Sequence, residues 1–327
     1  LNPHVVRLTL SCVMDIDAKG EVMKYEIFPS YIKSTERMTY TKVNAILHKD
    51  EEACREYAHI LSLCEHMQSL ACCLRKRRES LGAIDFNTRE AKIIVDQKGK
   101  VKDVKVRERG EAERIIEDFM IAANECVATH MKWMEIPSMY RIHETPEPKK
   151  MRELARICTM LGYPLKADVN HVYPNQLQAL LYAAKGDEVY PVLSSFMLRS
   201  MQKARYDAHC LGHFGLGLKE YLHFTSPIRR YPDLVVHRML RKYCFSAQYE
   251  KSALLADEQW VEEGADQCSK RERNAIETER DADDMKKAEY MERFIGAEFD
   301  GVISGVTRFG LFVELANTIE GLVHIST

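Results

Sequence analysis

Proline is scarce in this chain, 10 of 327 residues, and the 15 glycines are few. A collagen-like or low-complexity disordered chain needs far more of both, so a folded globular protein is expected. No apolar run approaches the roughly 18 residues of a membrane helix, and no basic segment leads into an apolar one at the N-terminus. Neither a membrane span nor a signal peptide is therefore expected. The 10 cysteines include no Cys-x-x-Cys pair and are scattered through periodic segments, which predicts buried thiols in a reducing cytoplasm rather than disulfides or a zinc site. Net charge is almost absent too, at −2, whereas strong nucleic-acid binders usually carry a basic balance. Distribution qualifies that exclusion. Arg75-Lys76-Arg77-Arg78, Arg199 to Arg205 and Arg229 to Lys242 are basic clusters, and acid collects between Asp257 and Glu292. A basic channel on an acidic exterior fits this pattern, and so does an ordinary patterned surface.

What is present is strong periodicity. Alternating apolar residues from Val6 to Ile16, the turn Asp17-Ala18-Lys19-Gly20 and a return from Val22 to Ile27 predict a hairpin, and Ala91 to Val106 predicts a second. Helices are predicted over Tyr40 to Leu47, Glu51 to Glu79, Lys149 to Leu161, Pro174 to Ala184, Pro191 to Tyr206 and Pro232 to Phe245. Ile116, Phe119, Met120, Ala123, Val127, Met131 and Met134 mark a long amphipathic helix from Glu111 to Met134. Glu113, Glu117, Met120 and Asn124 share another face, read as solvated, with Glu117 and Asn124 able instead to touch a ligand or position a side chain. Gly212 to Phe224 has strand character. Ala253 to Phe294 reads as one helix with Val261, Cys268, Ala275 and Ala282 at seven-residue intervals, small enough for close packing. Short strands follow, so a domain boundary is expected near residue 295. The expected fold class is α+β: mixed strands and long helices over 1–295, then short strands over 296–327. The chain begins at Leu1 without methionine and stops inside a strand-like run, and is read as a piece of something longer.

The run Gly212-His213-Phe214-Gly215-Leu216-Gly217-Leu218, continuing through Tyr221-Leu222-His223-Phe224-Thr225-Ser226-Pro227-Ile228-Arg229-Arg230-Tyr231-Pro232-Asp233, carries the most chemistry. Bare glycines in a strand suggest that something approaches the backbone closely, a polymer being one candidate. Two hydroxyls, two guanidinium groups and a helix start converge on the recognition of an anion such as phosphate. The other reading is that Thr225 or Ser226 caps the helix and the arginines pair with carboxylates.

This run resembles the signature of the RNase II and RNase R family of exoribonucleases, in a spelling closer to its RNase R branch. Arg37-Met38-Thr39-Tyr40-Thr41-Lys42-Val43, Ile121-Ala122-Ala123-Asn124, Tyr140-Arg141-Ile142-His143 and Thr278-Glu279-Arg280-Asp281 resemble further family segments in order. The resemblance implies processive 3′–5′ hydrolysis of RNA to nucleoside 5′-monophosphates with Mg2+, on single-stranded 3′ ends. It implies that Arg229 holds the scissile phosphate and stabilises developing charge, and that Tyr40 stacks on the terminal base. By the same resemblance Tyr140, Arg141, His143, His213, Thr225, Ser226, Arg230 and Tyr231 belong to the RNA channel. From residue 299 the chain resembles the opening strands of the OB-fold of ribosomal protein S1, which implies RNA contacts from Phe309, Phe312 and His324. A core role for one of the two phenylalanines stays open.

The family's Asp-rich magnesium motif is not found. Asp15, Asp17 and Asp85 are separate residues and none reproduces it, so metal ligands are expected upstream and the chain as given is expected to cleave slowly or not at all. The alternative is a catalytically inactive, single-stranded RNA-binding module. No membrane partner is expected. Association with ribosomes or decay machinery is left open.

Overall fold

The computed structural model describes residues 2–86, 90–107 and 109–326. They divide into two compact units, the first made of Leu1–Ile84, Arg109–Ala183 and Ser200–Ser269, the second of Asp85–Glu108, Ala184–Arg199 and Lys270–Thr327.

In the first unit β1 (Val6–Ile16) and β2 (Val22–Lys33) form an antiparallel hairpin. Asp17 closes its turn by accepting the N–H groups of Lys19 and Glu21, each at 2.9 Å. β2 outruns the expected end at Ile27 because Pro29, opposite Leu10, sits in a two-stranded ribbon where a missing N–H is tolerated on the open edge. Three helices follow, α1 (Tyr40–Leu47), α2 (Glu51–Glu56) and α3 (Leu61–Ser80). The single helix expected over 51–79 breaks at Tyr57, whose ring is buried with Ile46 and Cys64, and a short 3-10 turn over Ala58–Ile60 restarts the chain toward α3.

Helix α4 (Glu111–Trp133) is the centre of this unit. The expected amphipathic pattern is corrected by the structure: no residue from Glu111 to Met131 is exposed. Its polar groups are enclosed because neighbours bind them. Asp118, 3% exposed, accepts from Arg75 Nε at 3.0 Å and Nη2 at 2.9 Å and from Arg78 Nη2 at 2.5 Å. Arg77 holds Glu125 at 2.9 Å and Glu21 at 2.9 Å, and Asn44 donates to Glu113 at 3.0 Å. The basic run on α3 is thus the clamp that fastens α3 to α4.

The apolar side of α4 meets Leu10, Cys12 and Ile27 of the hairpin and a core that includes Val235, Val236, Tyr243 and Val261. β5 (Tyr140–Ile142) pairs with β6 (Arg205–Asp207), the latter falling where helix was expected to continue from α7 (Tyr190–Ser200). α5 (Pro148–Met160) and α6 (Pro174–Ala184) lie between them in sequence. The segment 212–224 is not a regular strand. It makes single bridges to Tyr140 and His143 and one 3-10 turn over Phe214–Leu216. α8 (Tyr231–Met239) continues into a π-helical turn over Leu240–Phe245, and α9 (Lys251–Met291) belongs to the first unit through Ser269. Val261, Ala265 and Ser269 are its buried residues. Ala275 and Ala282 are exposed, so the small-residue stripe does not persist along the helix.

In the second unit β3 (Ala91–Val95) and β4 (Val101–Val106) form the other expected hairpin. Val101 and Val104 bury against Ile319, Leu315 and, from the far half of α9, Tyr290 and Met291. β7 (Gly301–Thr307), β8 (Gly310–Leu315) and β9 (Glu320–His324) make an antiparallel sheet in that order. Of the cysteines, only Cys64, Cys126 and Cys158 are buried. Cys72 is exposed and the rest are intermediate, so uniform burial of the thiols does not hold, although all ten are free.

Candidate functional site

The first unit contains a cleft of about 420 Å³ walled by α4 on one side and by residues of segments 141 and 204–230 on the other. Glu113, Glu117, Met120 and Asn124 line it from α4, so the face read as solvated is the wall of the cleft. Tyr40, at the first position of α1 and 47% exposed, lies at the same opening.

Asn124 is 1% exposed. Its carboxamide donates to the Tyr221 hydroxyl at 3.1 Å and accepts the Phe224 N–H at 2.9 Å. The carbonyl of Phe224 in turn meets His237 Nε2 at 2.8 Å, and the two rings stack at 4.6 Å. This fixes the chain as it enters the turn Thr225–Arg230. Inside that turn Asp233, fully buried, accepts the Ser226 N–H at 2.7 Å and Arg230 Nη2 at 2.9 Å. The pairing of arginine with carboxylate holds for Arg230, whereas neither Thr225 nor Ser226 caps α8, whose cap position is Arg230. Arg230 is paired and faces the cleft, whereas Arg229 is exposed and its guanidinium makes no hydrogen bond or ion pair among the described residues. Thr225 leaves its buried hydroxyl oxygen without a partner among the described residues. Tyr231, at the first position of α8, is exposed.

Opposite α4 stands a stack of rings. His143 lies edge-on to His213 at 5.1 Å, His213 to Tyr221 at 5.3 Å, and Tyr221 to His223 at 5.7 Å. His143 Nδ1 accepts the Gly215 N–H at 3.0 Å and His213 Nδ1 the Leu216 N–H at 3.2 Å. An accepting Nδ1 leaves the proton on Nε2. Burial, followed by the nearby His143 and Arg141, pushes His213 down to about 3. Burial, with the charges of Arg230 and Arg141 next, pushes His223 down to about 2. The cleft therefore holds neutral imidazoles beside guanidinium groups, Arg141 lying over the Tyr206 ring at 4.7 Å.

Tyr40, Arg141, His213 and Arg230 meet on the cleft, and Thr225, Ser226, Arg229 and Tyr231 form the turn beside it. Tyr140 is corrected: it is 5% exposed, packs in the core, and burial pushes its phenol above the ordinary range. His143, 9% exposed, sits behind His213 rather than at the cleft. The glycines are corrected as well. A Cβ on Gly215 would meet His143 Nδ1 at 2.9 Å, and one on left-handed Gly217 the Leu81 carbonyl at 2.6 Å, so it is the protein's own atoms that come close. Sequence reasoning passed over Tyr221 and His223 as site residues. Their spacing of two in an extended stretch, which turns both to one side, was the available signal.

In the second unit Phe312 pairs with Leu322 and Gly310 with His324, so Phe312 and His324 share a sheet face across a bare glycine. Phe309 is exposed at the end of that hairpin and Phe312 is half-buried, which divides exposed and packing roles between the two rings. Among the described residues no three His, Cys, Asp or Glu side chains converge as metal ligands. The described residues do not fit a magnesium centre.

An RNB domain matches residues 1–246 and an S1 RNA binding domain residues 292–327. The chain belongs to the RNB domain family. Ribonuclease R 1 of Lactococcus lactis is 47% identical over the whole chain, which spans 40% of that protein. Ribonuclease R of Thermotoga maritima is 43% identical over 98% of the chain, which covers 45% of it. The chain thus spans less than half the length of these curated relatives. The structure of Mycoplasma genitalium RNase R in complex with ribose methylated single-stranded RNA superposes with a TM-score of 0.92 at 30% identity, covering all of this chain and 51% of that one. Yeast Ssd1, described as a pseudonuclease, shares the fold alone, with a TM-score of 0.68 at 21% identity over 99% of this chain and 40% of its own. No helix among the described residues is long and apolar enough to cross a membrane.

Proposed function

We propose that this chain is the RNA-holding part of a hydrolytic 3′–5′ exoribonuclease that releases nucleoside 5′-monophosphates. The observation that carries the reading is the unpaired Arg229 guanidinium, set on a braced turn beside a cleft of neutral imidazoles, in a member of the RNB family. Arg229 reaches the phosphoryl oxygens of the scissile bond. An arginine that spends no charge on a neighbour is available to the charge that grows in the transition state. Arg230 and Arg141 attract the adjoining backbone, the imidazoles donate Nε2–H to phosphate or ribose oxygens, and Tyr40 stacks on a base, which suits an enzyme indifferent to sequence. Phe309, Phe312 and His324 supply a second RNA surface. Magnesium is expected as cofactor, with ligands outside the described residues, and the expected setting is the cytoplasm.

RNA binding without hydrolysis is the second reading, favoured by the unmet donor set and by the pseudonuclease that shares the fold. The test is binding and degradation of a uniformly labelled single-stranded RNA, with magnesium, by this chain, by a version extended upstream and by its Arg229→Ala variant. Mononucleotide release by the extended protein, lost in Arg229→Ala, supports the nuclease. An extended protein that binds and never cleaves leaves the binding module standing.

A further inference from the structure

Behind α4, on the side away from the cleft, Cys12 of β1 and Cys126 of α4 bring their sulfurs to 3.7 Å although 114 residues separate them in sequence. Cys12 is half-buried and Cys126 is buried. The surroundings are apolar on the strand side, where Leu10 and Ile27 flank Cys12 in the core. One helical turn beyond Cys126, His130 contacts the Tyr25 hydroxyl at 3.2 Å and the Cys244 thiol at 3.4 Å. The two cysteines play no part in the cleft.

We propose that Cys12 and Cys126 are a dithiol–disulfide couple, a modification site that closes when hydrogen peroxide oxidises Cys12. The inference is independent of the RNA reading. Asymmetry between the two thiols assigns the roles. The contact with Cys126 holds the Cys12 thiol below its ordinary range, and the same contact, with burial, pushes Cys126 up. Cys12, the more accessible, is therefore the attacking thiolate and Cys126 the resolving thiol. In the first step the Cys12 sulfur attacks a peroxide oxygen. An S–O bond forms, the O–O bond breaks, and the departing hydroxide takes a proton to leave as water, giving a sulfenic acid. In the second the Cys126 sulfur attacks that of Cys12. The S–S bond forms, the S–O bond breaks, and the Cys126 proton leaves with the hydroxyl as a second water. Two thiols and one peroxide thus give one disulfide and two waters.

Reaching a bonded distance of about 2.0 Å draws β1 and α4 together locally. It also closes a long loop in the unfolded chain, so the oxidised protein is expected to melt at least about 5 °C higher. The native chain, with all its cysteines, is treated with a few equivalents of hydrogen peroxide, alkylated under denaturing conditions and digested with trypsin. The expected product joins the peptide Leu8–Lys19 to the peptide Ile115–Lys132, is two hydrogens lighter than their sum, and is lost on treatment with dithiothreitol. Cys244→Ala is expected to keep the link and Cys12→Ser to abolish it, leaving Cys126 open to alkylation. A link from Cys12 or Cys126 to any other cysteine overturns the proposal, as does Cys12 carried to a sulfinic acid with Cys126 still alkylated.

Discussion

Two arginine clusters of this chain look alike in sequence and behave oppositely in the fold. Arg75, Arg77 and Arg78 spend their charge on Asp118, Glu111, Glu125 and Glu21. At the turn before α8, Asp233 takes Arg230 and the guanidinium of Arg229 is left over. The first cluster is structural and the second has a cation to offer a ligand. The difference is made by carboxylates tens of residues away, so a basic run is evidence of binding only after its acids have been located.

The comparison breaks most severely at Asp118. Asp118→Ala removes a buried carboxylate, leaving half-buried Arg78 without its partner and Arg75 with Glu111 alone, and is expected to cost about 3–5 kcal/mol, read as a fall of roughly 10 °C or more in Tm. Arg229→Ala is expected to leave Tm within about 1–2 °C, as exposed substitutions do, while lowering the turnover of the upstream-extended protein by about 10²–10³-fold. Equal melting losses for the two variants would erase the distinction. Tyr40→Ala should weaken single-stranded RNA binding by about 1–3 kcal/mol in a filter or anisotropy titration, with a far smaller effect on melting than Asp118→Ala.

The smallest effect concerns pH. His213 and His223 are held far below the ordinary imidazole value in the fold, so in acid the unfolded chain takes up protons that the native one refuses. The stability this contributes is complete above about pH 6.5 and is lost progressively as pH falls toward the folded values of about 3 and about 2. Tm measured from pH 7.5 to 5 should decline by a few degrees, and His213→Gln should flatten that decline, whatever it does to Tm at neutral pH.

Both hairpins and the course of α4 and α9 were legible because their periodicity is long and unbroken. Tyr57 interrupts a helical pattern without glycine or proline, since its burial against Ile46 and Cys64 is a tertiary event. The segment 212–224 alternates like a strand, yet its hydrogen bonds go to His143, to Leu218 and to the stretch after α3, where Ile84 donates to Gly215. No local pattern encodes those partners. At the candidate site the resemblance pointed to Tyr40, which the fold places at the cleft, and to the turn beside it. It misplaced Tyr140, because a tyrosine beside Arg141 on a short strand points the other way, into the core. Asn124 was noted, but its grip on Tyr221 and Phe224 spans about a hundred residues and appears only in the fold.

The uncharged imidazoles of the cleft have a last consequence, for counterions. A polyanion entering the cleft sheds counterions in proportion to the cations it meets, with a slope of log affinity against log salt of about −0.7 per neutralised phosphate for a single strand. Here the cleft histidines add nothing to that number, so the slope should be the same at pH 5.5 as at pH 8. A nucleic-acid groove built on ordinary surface histidines would steepen as it acidified. On the proposed reading this cleft keeps its ionic stoichiometry fixed, with its guanidinium groups setting how many counterions are released.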